Sequence, residues 1–318
     1  MRGFVFAPPM MLLRTMPDRE PFRIALISAR AARATDEDMP PLEAALRAGG
    51  AVTQIVDWDD TAADWGAFDL ALLRSPWDYT VRYAEFLRHA ERIAALTRLE
   101  NSLPVVRWNT DKRYLLDLER TRIPIIPSQV IDPHENAAVA VERARAQYDA
   151  AELVVKPTVG AGSRDTQRHE HADQQAMEAH VARLLSAGRS ALIQPYLPSV
   201  DQHGETAVIF FAGRYSHSIR KGALLQAGGA SSQELFAKEQ IEPREPAPDE
   251  MRVAEQTLAA IPFETPLYAR VDLIRGSSGE PRVLEVELTE PSLFFAHAPG
   301  SATRFAGAVL ALCSRLFR

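Results

Sequence analysis

Short apolar runs separated by helical spacings dominate the first third of the chain. The run F-R-I-A-L-I-S at 22–28 predicts a strand, and P-P-L-E-A-A-L-R-A-G-G after it predicts a helix that the paired glycines end. Runs at 51–56 and 69–74 predict two more strands, and helical spacing covers 83–99. This β-α-β order predicts an open, mainly parallel sheet.

The pattern changes at 103–108, where we place a boundary. Beyond it, Asn109 or Thr110 can cap a helix that contains Lys112. A small α+β unit is predicted next, with strands at 125–130, 153–156 and 191–194 and helices at 137–148 and 173–187. The chain from Tyr196 onward is rich in strands and ends in a helix at 303–317.

These elements divide the chain into four segments. Residues 1–20 are interpreted as a disordered or non-native start, because paired prolines interrupt their apolar run. An N-terminal α/β domain at 21–104 is expected to bind substrate. A central subdomain at 105–195 and a C-terminal domain at 196–318 follow.

Acidic residues occupy fixed places in the predicted hairpin at 268–292. Side chains alternate along a strand, so Glu285 and Glu287 of V-L-E-V-E-L project on one side and the intervening apolar residues on the other. Asp272 can join them from the preceding strand. Three carboxylates on one face repel one another unless a cation neutralises them, which predicts a magnesium-type site. The alternative is a solvated polar strand face.

A lysine and a glycine-rich segment follow the strand at 153–156. In V-V-K-P-T-V-G-A-G-S, Lys156 precedes Gly160, Gly162 and Ser163. Glycines let backbone N–H groups approach a phosphate closely, and the lysine supplies a countercharge. The segment therefore predicts a nucleotide-phosphate cradle, with a flexible surface loop as the alternative.

The sequence Q-P-Y-L at 194–197 ends a strand and begins a linker. Its residues Gln194, Tyr196 and Leu197 could frame an adenine ring, and Asp201 or Glu205 could accept hydrogen bonds from ribose hydroxyls. We interpret these residues as part of a nucleotide site.

Two further segments carry candidate chemistry. A hairpin around 212–213 brings Arg220 and Lys221 to its far end, where two cations could neutralise a transferring phosphoryl group; a surface basic pair is the alternative. The segment R-S-P-W-D-Y-T at 74–80 follows a strand, where ligands of open parallel sheets collect. It predicts a substrate loop, or else a turn that begins a helix.

Composition narrows the functional classes. A formal charge of −6 and a pI near 5.8 argue against a general nucleic-acid surface and favour small-molecule chemistry. The single cysteine, Cys313, excludes an intrachain disulfide and is expected to be a buried helix thiol. No apolar stretch is long enough to predict a transmembrane helix, and the eight histidines show no zinc spacing, with H-x-H at 169–171 expected in a loop. We expect a cytoplasmic protein.

The order of these motifs over about 105–295 resembles the ATP-grasp superfamily, and in particular prokaryotic glutathione synthetase and the D-alanine-D-alanine ligases. The resemblance implies an ATP-grasp fold of α/β and α+β class. It would have an N-terminal open parallel sheet, a small central lid subdomain and a C-terminal domain with a mainly antiparallel sheet and the metal site.

The same resemblance implies roles for individual residues. Lys112 and Lys156 match the two lysines that bind phosphates, and the loop at 160–163 matches the mobile loop that closes over the triphosphate of ATP. Asp272, Glu285 and Glu287 match the ligands of Mg²⁺, or of Mn²⁺ in its place. Glu287 stands where many relatives have asparagine, which keeps an oxygen ligand and adds charge.

Catalytic roles follow from the same resemblance. Arg220 matches the arginine that steadies an acyl phosphate, with Lys221 beside it and Arg270 near the substrate carboxylate. No residues match those that hold a dipeptide in glutathione synthetase.

Within the superfamily, R-S-P-W-D-Y, R-W-N-T-D-K-R-Y-L and S-H-S-I-R-K-G are most similar to the small group that contains O-ureido-D-serine cyclo-ligase, the cycloserine-forming enzyme. Membership would imply that ATP activates a carboxylate as an acyl phosphate, which a nitrogen of the same molecule attacks. Arg74, Asp78 and Tyr79 are candidates for holding the amino acid.

Other functions stay open at this point. An intermolecular amino-acid or peptide ligase, a small-molecule kinase and a non-catalytic nucleotide-binding module would use the same nucleotide site. Relatives of this kind lead us to expect a homo-oligomer.

Overall fold

The computed structural model describes residues 20–225 and 240–317. The predicted disordered start at 1–20 lies outside these residues, except for Glu20. The described elements form three sheets flanked by helices.

The N-terminal sheet consists of four parallel strands in the order β2-β1-β3-β4. Its elements are β1 (Arg23–Ser28), α1 (Met39–Ala48), β2 (Val52–Asp57), β3 (Leu70–Ser75), α2 (Tyr83–Leu96) and β4 (Arg98–Glu100). The predicted open parallel sheet is confirmed. The helix predicted over 83–99 is too long, because its last residues belong to β4, which pairs with β3. The strand β4 is too short for an alternation of apolar and polar residues to indicate it in the sequence.

Two short helices, α3 (Leu103–Asn109) and α4 (Tyr114–Arg120), connect this sheet to the next. Lys112 lies in the turn between them, so the prediction of a helix containing Lys112 is wrong. The Lys112 backbone N–H donates to the carbonyl of Thr158 at 2.8 Å, which fixes this turn beside the glycine-rich segment.

The middle sheet is antiparallel, in the order β5-β8-β6-β7. Its elements are β5 (Gln129–Ile131), α5 (Ala137–Gln147), β6 (Glu152–Pro157), β7 (Gln167–Glu170), α6 (Gln174–Ser186) and β8 (Ala191–Pro195). The side chains of Asn136 and Asp173 accept from backbone N–H groups and cap the two helices. His169, expected in a loop, lies in β7 and is buried, because its ring bonds to His180 of α6.

The C-terminal sheet is antiparallel, in the order β11-β10-β9-β12-β13. Its elements are α7 (Ser199–His203), β9 (Glu205–Phe211), β10 (Arg214–Lys221), β11 (Ile241–Pro243), α8 (Pro248–Ala259), β12 (Tyr268–Arg275), β13 (Pro281–Glu287) and α9 (Ser301–Leu316). The predicted hairpin is confirmed: Ala212 and Gly213 have φ of 48° and 76°, as a two-residue hairpin turn with the twist of its strands requires.

One apolar core joins the first sheet to the last. Ile24 and Leu26 of β1 share it with Ile209 of β9 and with Phe305 and Val309 of α9. The C-terminal helix therefore packs across both sheets and fixes the edge at which their strands end. Cys313 is fully buried in α9, as expected. Across the described residues, no helix is long and apolar enough to cross a membrane.

The acidic hairpin pairs Asp272 with Glu285 and Arg270 with Glu287. A bulge follows, because Leu273 pairs with Val283 and Leu284 has no partner position. The prediction that Leu284 faces away from the glutamates is therefore wrong: Leu284 lines the same cleft as Glu285, while Val286 and Leu288 are buried in the core.

Candidate active site

A deep cleft separates the middle sheet from the C-terminal sheet. Most of the predicted nucleotide residues line it, although they lie up to 175 positions apart along the chain. These residues are Lys112, Lys156, Gly160, Gly162, Ser163, Gln194, Tyr196, Leu197, Glu205, Lys221, Glu285 and Glu287. The fold therefore brings the glycine-rich segment, the Q-P-Y-L linker and the acidic hairpin to one place.

One end of the cleft is apolar, and sequence reasoning did not identify most of its wall. Beyond Tyr196 and Leu197, this wall consists of Ile126, Val154, Val200, Leu224, Leu225, Ile274 and Leu284. These residues come from six segments of ordinary core-type sequence, so only the three-dimensional structure reveals them. The cleft combines a slot suited to a flat apolar ring with a charged floor.

The glycine-rich loop, residues 160–164, covers the charged part of the cleft. Gly162 and Ser163 have φ of 61° and 57°, a backbone conformation that glycine adopts without strain. Lys112 Nζ donates to the Gly160 carbonyl at 2.9 Å. At the other end, Asp165 forms ion pairs with Arg183 and Arg189, so the loop is anchored at both ends.

The charged floor is a network of buried ion pairs. Lys112 Nζ lies 2.9 Å from Glu285 Oε1, and Lys221 Nζ lies 2.7 Å from both Glu205 and Asp272.

Arg270 extends this network toward the acidic strand. Its guanidinium donates two bonds of 2.9 Å to Asp272, and it also bonds to Glu287. Each of these groups is buried or half-buried, so the charges must be balanced inside the protein.

Burial shifts the pKa values of two groups strongly. Burial, with the charges of Lys112 and Lys221 adding to it, lowers the pKa of Lys156 to about 8. Burial, with Glu285 and Asp272 nearby, raises the pKa of Glu287 to about 8 against the opposing effect of Arg270. An anionic ligand would therefore stabilise the charged form of Lys156, and a cationic ligand would stabilise the charged form of Glu287.

The donor set fits a divalent cation through two carboxylates. In the described part of the chain, no three His, Cys, Asp or Glu side chains converge as a preformed metal site would require. Asp272 is fully buried, and its carboxylate is occupied by Arg270 and Lys221. Glu285 and Glu287 line the cleft, and burial together with the neighbouring carboxylates raises the pKa of Glu287, so a bound cation would stabilise its charged form.

A second chamber opens beyond the charged floor. It shares Lys112, residues 160–163, Lys221, Glu285 and Glu287 with the first cleft. Its other walls are formed by Trp77, Tyr79, Asn109, Thr110, Arg270, Val286, Glu290, Ser292 and Phe294. The two spaces therefore meet along a shared wall, which carries Lys112, Lys221, Glu285 and Glu287.

Five predicted site residues do not line either space, and the buried Asp272 is one of them. Arg220, half-buried, donates from Nε to the His203 carbonyl at 2.8 Å. Asp201 is exposed on α7 and accepts from the hydroxyl of Tyr196. Arg220 points away from the floor because side chains alternate along β10 and its neighbour Lys221 lines the cleft. Asp201 lies outside the sheet, on α7.

The segment at 74–80 divides in the same way. Arg74 is 1% exposed and donates to the Pro291 carbonyl at 2.9 Å, while Asp78 accepts from Trp58 Nε1 at 2.7 Å. Of the three candidates for holding the amino acid, only Tyr79 lines the second chamber.

The acidic loop, residues 289–295, forms one wall of that chamber and carries Glu290. Asp38 accepts hydrogen bonds from three of its backbone N–H groups, those of Leu293, Phe294 and Phe295. Sequence reasoning assigned no role to Glu290. The signal was its position, because it is the next acidic residue after E-x-E at the end of a strand.

Comparisons with known proteins agree with this architecture. The family model described as "D-cycloserine synthetase DcsG, N-terminal domain" matches residues 24–101. The cycloserine biosynthesis protein DcsG of Streptomyces lavendulae is 42% identical over 292 residues, which cover 90% of this chain and 97% of that protein. The crystal structure of D-cycloserine synthetase DcsG has a TM-score of 0.87 at 41% identity, over 92% of this chain and 99% of the other.

A more distant structure shares the fold alone. The D-alanine-D-alanine ligase of Bacillus anthracis in complex with ATP has a TM-score of 0.65 at 16% identity, over 93% of this chain and 98% of that one. The extent and identity of the first matches place the whole described fold within one family, and the chain belongs to the ATP-grasp ligases, in the family of D-cycloserine synthetase DcsG.

Proposed function

We propose that this ligase closes the ring of O-ureido-D-serine to form D-cycloserine, with ATP as the energy source. The observation that carries the proposal is the meeting of two chambers along one charged wall. A nucleotide in the first and a carboxylate in the second would face each other across Lys112 and Lys221. The 42% identity to the cycloserine biosynthesis protein supports this choice of substrate.

The first cleft binds ATP in this proposal. Its apolar end, with Tyr196 and Leu197, receives the adenine, and Glu205 is the ribose candidate that lines the cleft. Lys112 and Lys156 contact the phosphates. No ion pair joins Lys156 to a carboxylate of the described residues, and the pKa of about 8 reflects its need for an anionic partner.

Reaction proceeds in two displacements. A carboxylate oxygen of the substrate attacks the γ-phosphorus of ATP, and ADP leaves. The nitrogen next to the ether oxygen then attacks the acyl carbon, phosphate leaves and the nitrogen loses a proton. In a separate hydrolysis, water cleaves the bond between this nitrogen and the carbamoyl carbon, and the carbamoyl group leaves as carbon dioxide and ammonia, because D-cycloserine lacks it. Attack within one molecule has a high effective concentration, which favours ring closure.

Lys221 and Arg270 stabilise the acyl phosphate in this scheme. Both line the second chamber, and the carboxylate of Asp272 holds both of them there. Arg220, to which the family resemblance assigned this role, lies outside the chamber.

Glu285 and Glu287 are the proposed ligands of a divalent cation, Mg²⁺ or Mn²⁺. When bound, the cation neutralises phosphate oxygens that the lysines leave unpaired. Asp272 is not one of these proposed ligands, because its carboxylate holds Lys221 and Arg270 in place.

The purified protein tests the proposal directly. With Mg²⁺, ATP and O-ureido-D-serine, we expect ADP, phosphate and D-cycloserine, identified by mass spectrometry. Turnover of another pair of amine and carboxylate, with none of O-ureido-D-serine, would favour an intermolecular ligase. A phosphorylated product stable to hydroxylamine, in place of a hydroxamate, would favour a kinase.

A homo-oligomer and a cytoplasmic location are also proposed. Light scattering on the purified protein and fractionation of cells test these two proposals.

A further inference from the structure

Glu290 is the carboxylate of the second chamber that does not line the nucleotide cleft. Glu285 and Glu287 belong to the wall that both spaces share, and both are ion-paired with internal cations. The chamber's own cation, Arg270, is occupied by Asp272 and Glu287. Glu290 is therefore the anion that the chamber presents to whatever enters it.

No ion pair involving Glu290 occurs among residues 20–225 and 240–317, and Tyr79 lines the same chamber. Burial raises the pKa of Glu290 to about 7, even though the Tyr79 hydroxyl and the charges of Lys112 and Arg270 favour its charged form. A half-buried carboxylate without an ion-pair partner is unfavourable, and a cationic ligand relieves this.

Hydrogen bonds hold the main chain around Glu290. Trp77 Nε1 donates to the Glu290 carbonyl at 3.0 Å. On either side, Tyr268 donates to the Thr289 carbonyl at 3.0 Å and Arg74 donates to the Pro291 carbonyl at 2.9 Å. These bonds fix the point of the backbone from which the Glu290 side chain enters the chamber, which favours preorganisation of a binding group.

The remaining lining of the chamber suits the rest of an amino acid. Asn109, Thr110 and Ser292 offer neutral polar groups, and Trp77 and Phe294 offer apolar surface. Lys112 and Lys221 lie at the wall that this chamber shares with the proposed nucleotide cleft. An amino acid with its carboxylate at that wall would extend its other groups into the chamber that Glu290 faces.

We propose that Glu290, held by Tyr79, binds the α-ammonium group of the substrate and selects amino acids over carboxylic acids that lack the amine. This inference rests on the proposed function, since it assumes that the second chamber receives the substrate. It identifies the segment at 74–80 as a support for the acidic loop, with Tyr79 as a positioning residue.

Binding measurements separate this role from the chemistry. Titration calorimetry in the presence of a non-hydrolysable ATP analogue compares O-ureido-D-serine with the analogue whose α-amino group is replaced by hydrogen. We expect the wild-type protein to bind the amine at least about 30-fold more tightly, as for a desolvated charge pair. Glu290→Gln should abolish that preference and leave the affinity for the ATP analogue unchanged, which also shows that the variant is folded.

Two further variants sharpen the result. Tyr79→Phe removes only the hydroxyl and should reduce the preference by about 5-fold, in line with one hydrogen bond to a charged group. Glu264→Gln, at an exposed position outside both chambers, should leave the preference intact.

Failure of this inference differs from failure of the proposed function. A wild-type preference for the amine without formation of D-cycloserine would overturn the reaction and leave the role of Glu290 standing. D-serine and 3-hydroxypropanoate form a second pair that lacks the ureido group. A wild-type protein with no preference for the amine in either pair would overturn the inference, as would Glu290→Gln with the preference intact or with a loss of kcat alone.

Discussion

The acidic loop and the glycine-rich loop, which lie on either side of the wall shared by the two chambers, differ in how the rest of the protein holds them. The backbone of the acidic loop forms hydrogen bonds with side chains of both outer sheets and of the segments next to them. Its N–H groups donate to Asp38. Its carbonyl groups bond to the side chains of Arg74, Trp77, His217, Tyr268 and Arg270. The glycine-rich loop bonds to itself between Ala161 and Arg164, and Lys112 and Asp165 anchor its ends. In the proposed function, the acidic loop borders the substrate and is fixed before binding, and the glycine-rich loop borders the phosphates and has fewer backbone bonds to the rest of the protein to break when it adjusts.

The first prediction removes the ion pair where the two regions meet. Glu285→Gln leaves Lys112 without its anionic partner and removes one proposed cation ligand. We expect kcat to fall by about 10³-fold or more, since positioned charge dominates phosphoryl and acyl transfer. A coupled assay of ADP release measures it.

Glu280 offers a matched control in the same hairpin. It pairs with Arg282 near the turn and lies far from both chambers, so Glu280→Gln should keep normal turnover. Equal activity of the two variants would refute the role of Glu285 at the wall.

The second prediction removes the side chain that holds the backbone of the acidic loop. Asp38→Ala leaves the N–H groups of Leu293, Phe294 and Phe295 without their acceptor. We expect the free energy of unfolding to fall by about 3 kcal/mol, since three bonds to a charged group are lost. Urea denaturation measures this loss, and KM for the amino acid should rise more than KM for ATP.

Asp60 provides the comparison for Asp38. It accepts one backbone N–H, that of Ala62, at an exposed turn. Asp60→Ala should cost less than about 1 kcal/mol. A loss of the same size in both variants would mean that the acidic loop needs no support from Asp38.

Sequence alone could predict the fold because most of its elements are local. The parallel strands of the first sheet, the capped helices of the middle unit and the hairpin at 212–213 follow from periodicity, caps and turn residues. The bulge at Leu284 could not be predicted, since pairing between β12 and β13 determines it. The turn around Lys112 depends in the same way on its distant bond to Thr158.

The candidate site shows a similar division. The lysines, glycines and glutamates that the sequence predicted as nucleotide-binding residues line one cleft of the structure, because their chemistry is visible in the residue type. Arg74 has equally suggestive chemistry, yet the structure buries it under the acidic loop, where it supports Pro291. Whether a charged side chain faces a ligand or its own backbone depends on contacts between residues more than 200 positions apart, which no local pattern contains.

The third prediction concerns the pH dependence of the free energy of unfolding, at the anchor of the glycine-rich loop. His180 Nε2 lies 3.1 Å from the Asp165 carbonyl, and burial lowers the pKa of His180 to about 4. As the pH falls below about 6.5, His180 becomes protonated in the unfolded chain but stays neutral in the folded chain. The free energy of unfolding therefore decreases until the pH reaches about 4. His180→Gln should flatten this decrease by about 2 kcal/mol in urea denaturation at pH 7 and 4.5.

His203, exposed on α7, serves as the control histidine. His203→Gln should reproduce the wild-type pH dependence. An unchanged slope in His180→Gln would show that the anchor of the glycine-rich loop does not contribute to acid sensitivity.

The fourth prediction, with the smallest effect, tests whether the adjustable loop needs its backbone conformation for the nucleotide. Gly162 and Gly188 have φ of 61° and 71°, so alanine costs each of them about 1 kcal/mol of strain. Gly188 lies at a turn with open space around it, outside both chambers. Both variants should unfold at slightly lower urea concentration, and only Gly162→Ala should raise KM for ATP, by about 5-fold, because that strain opposes the closed loop. An equal KM in both would mean that the loop closes through its ends alone.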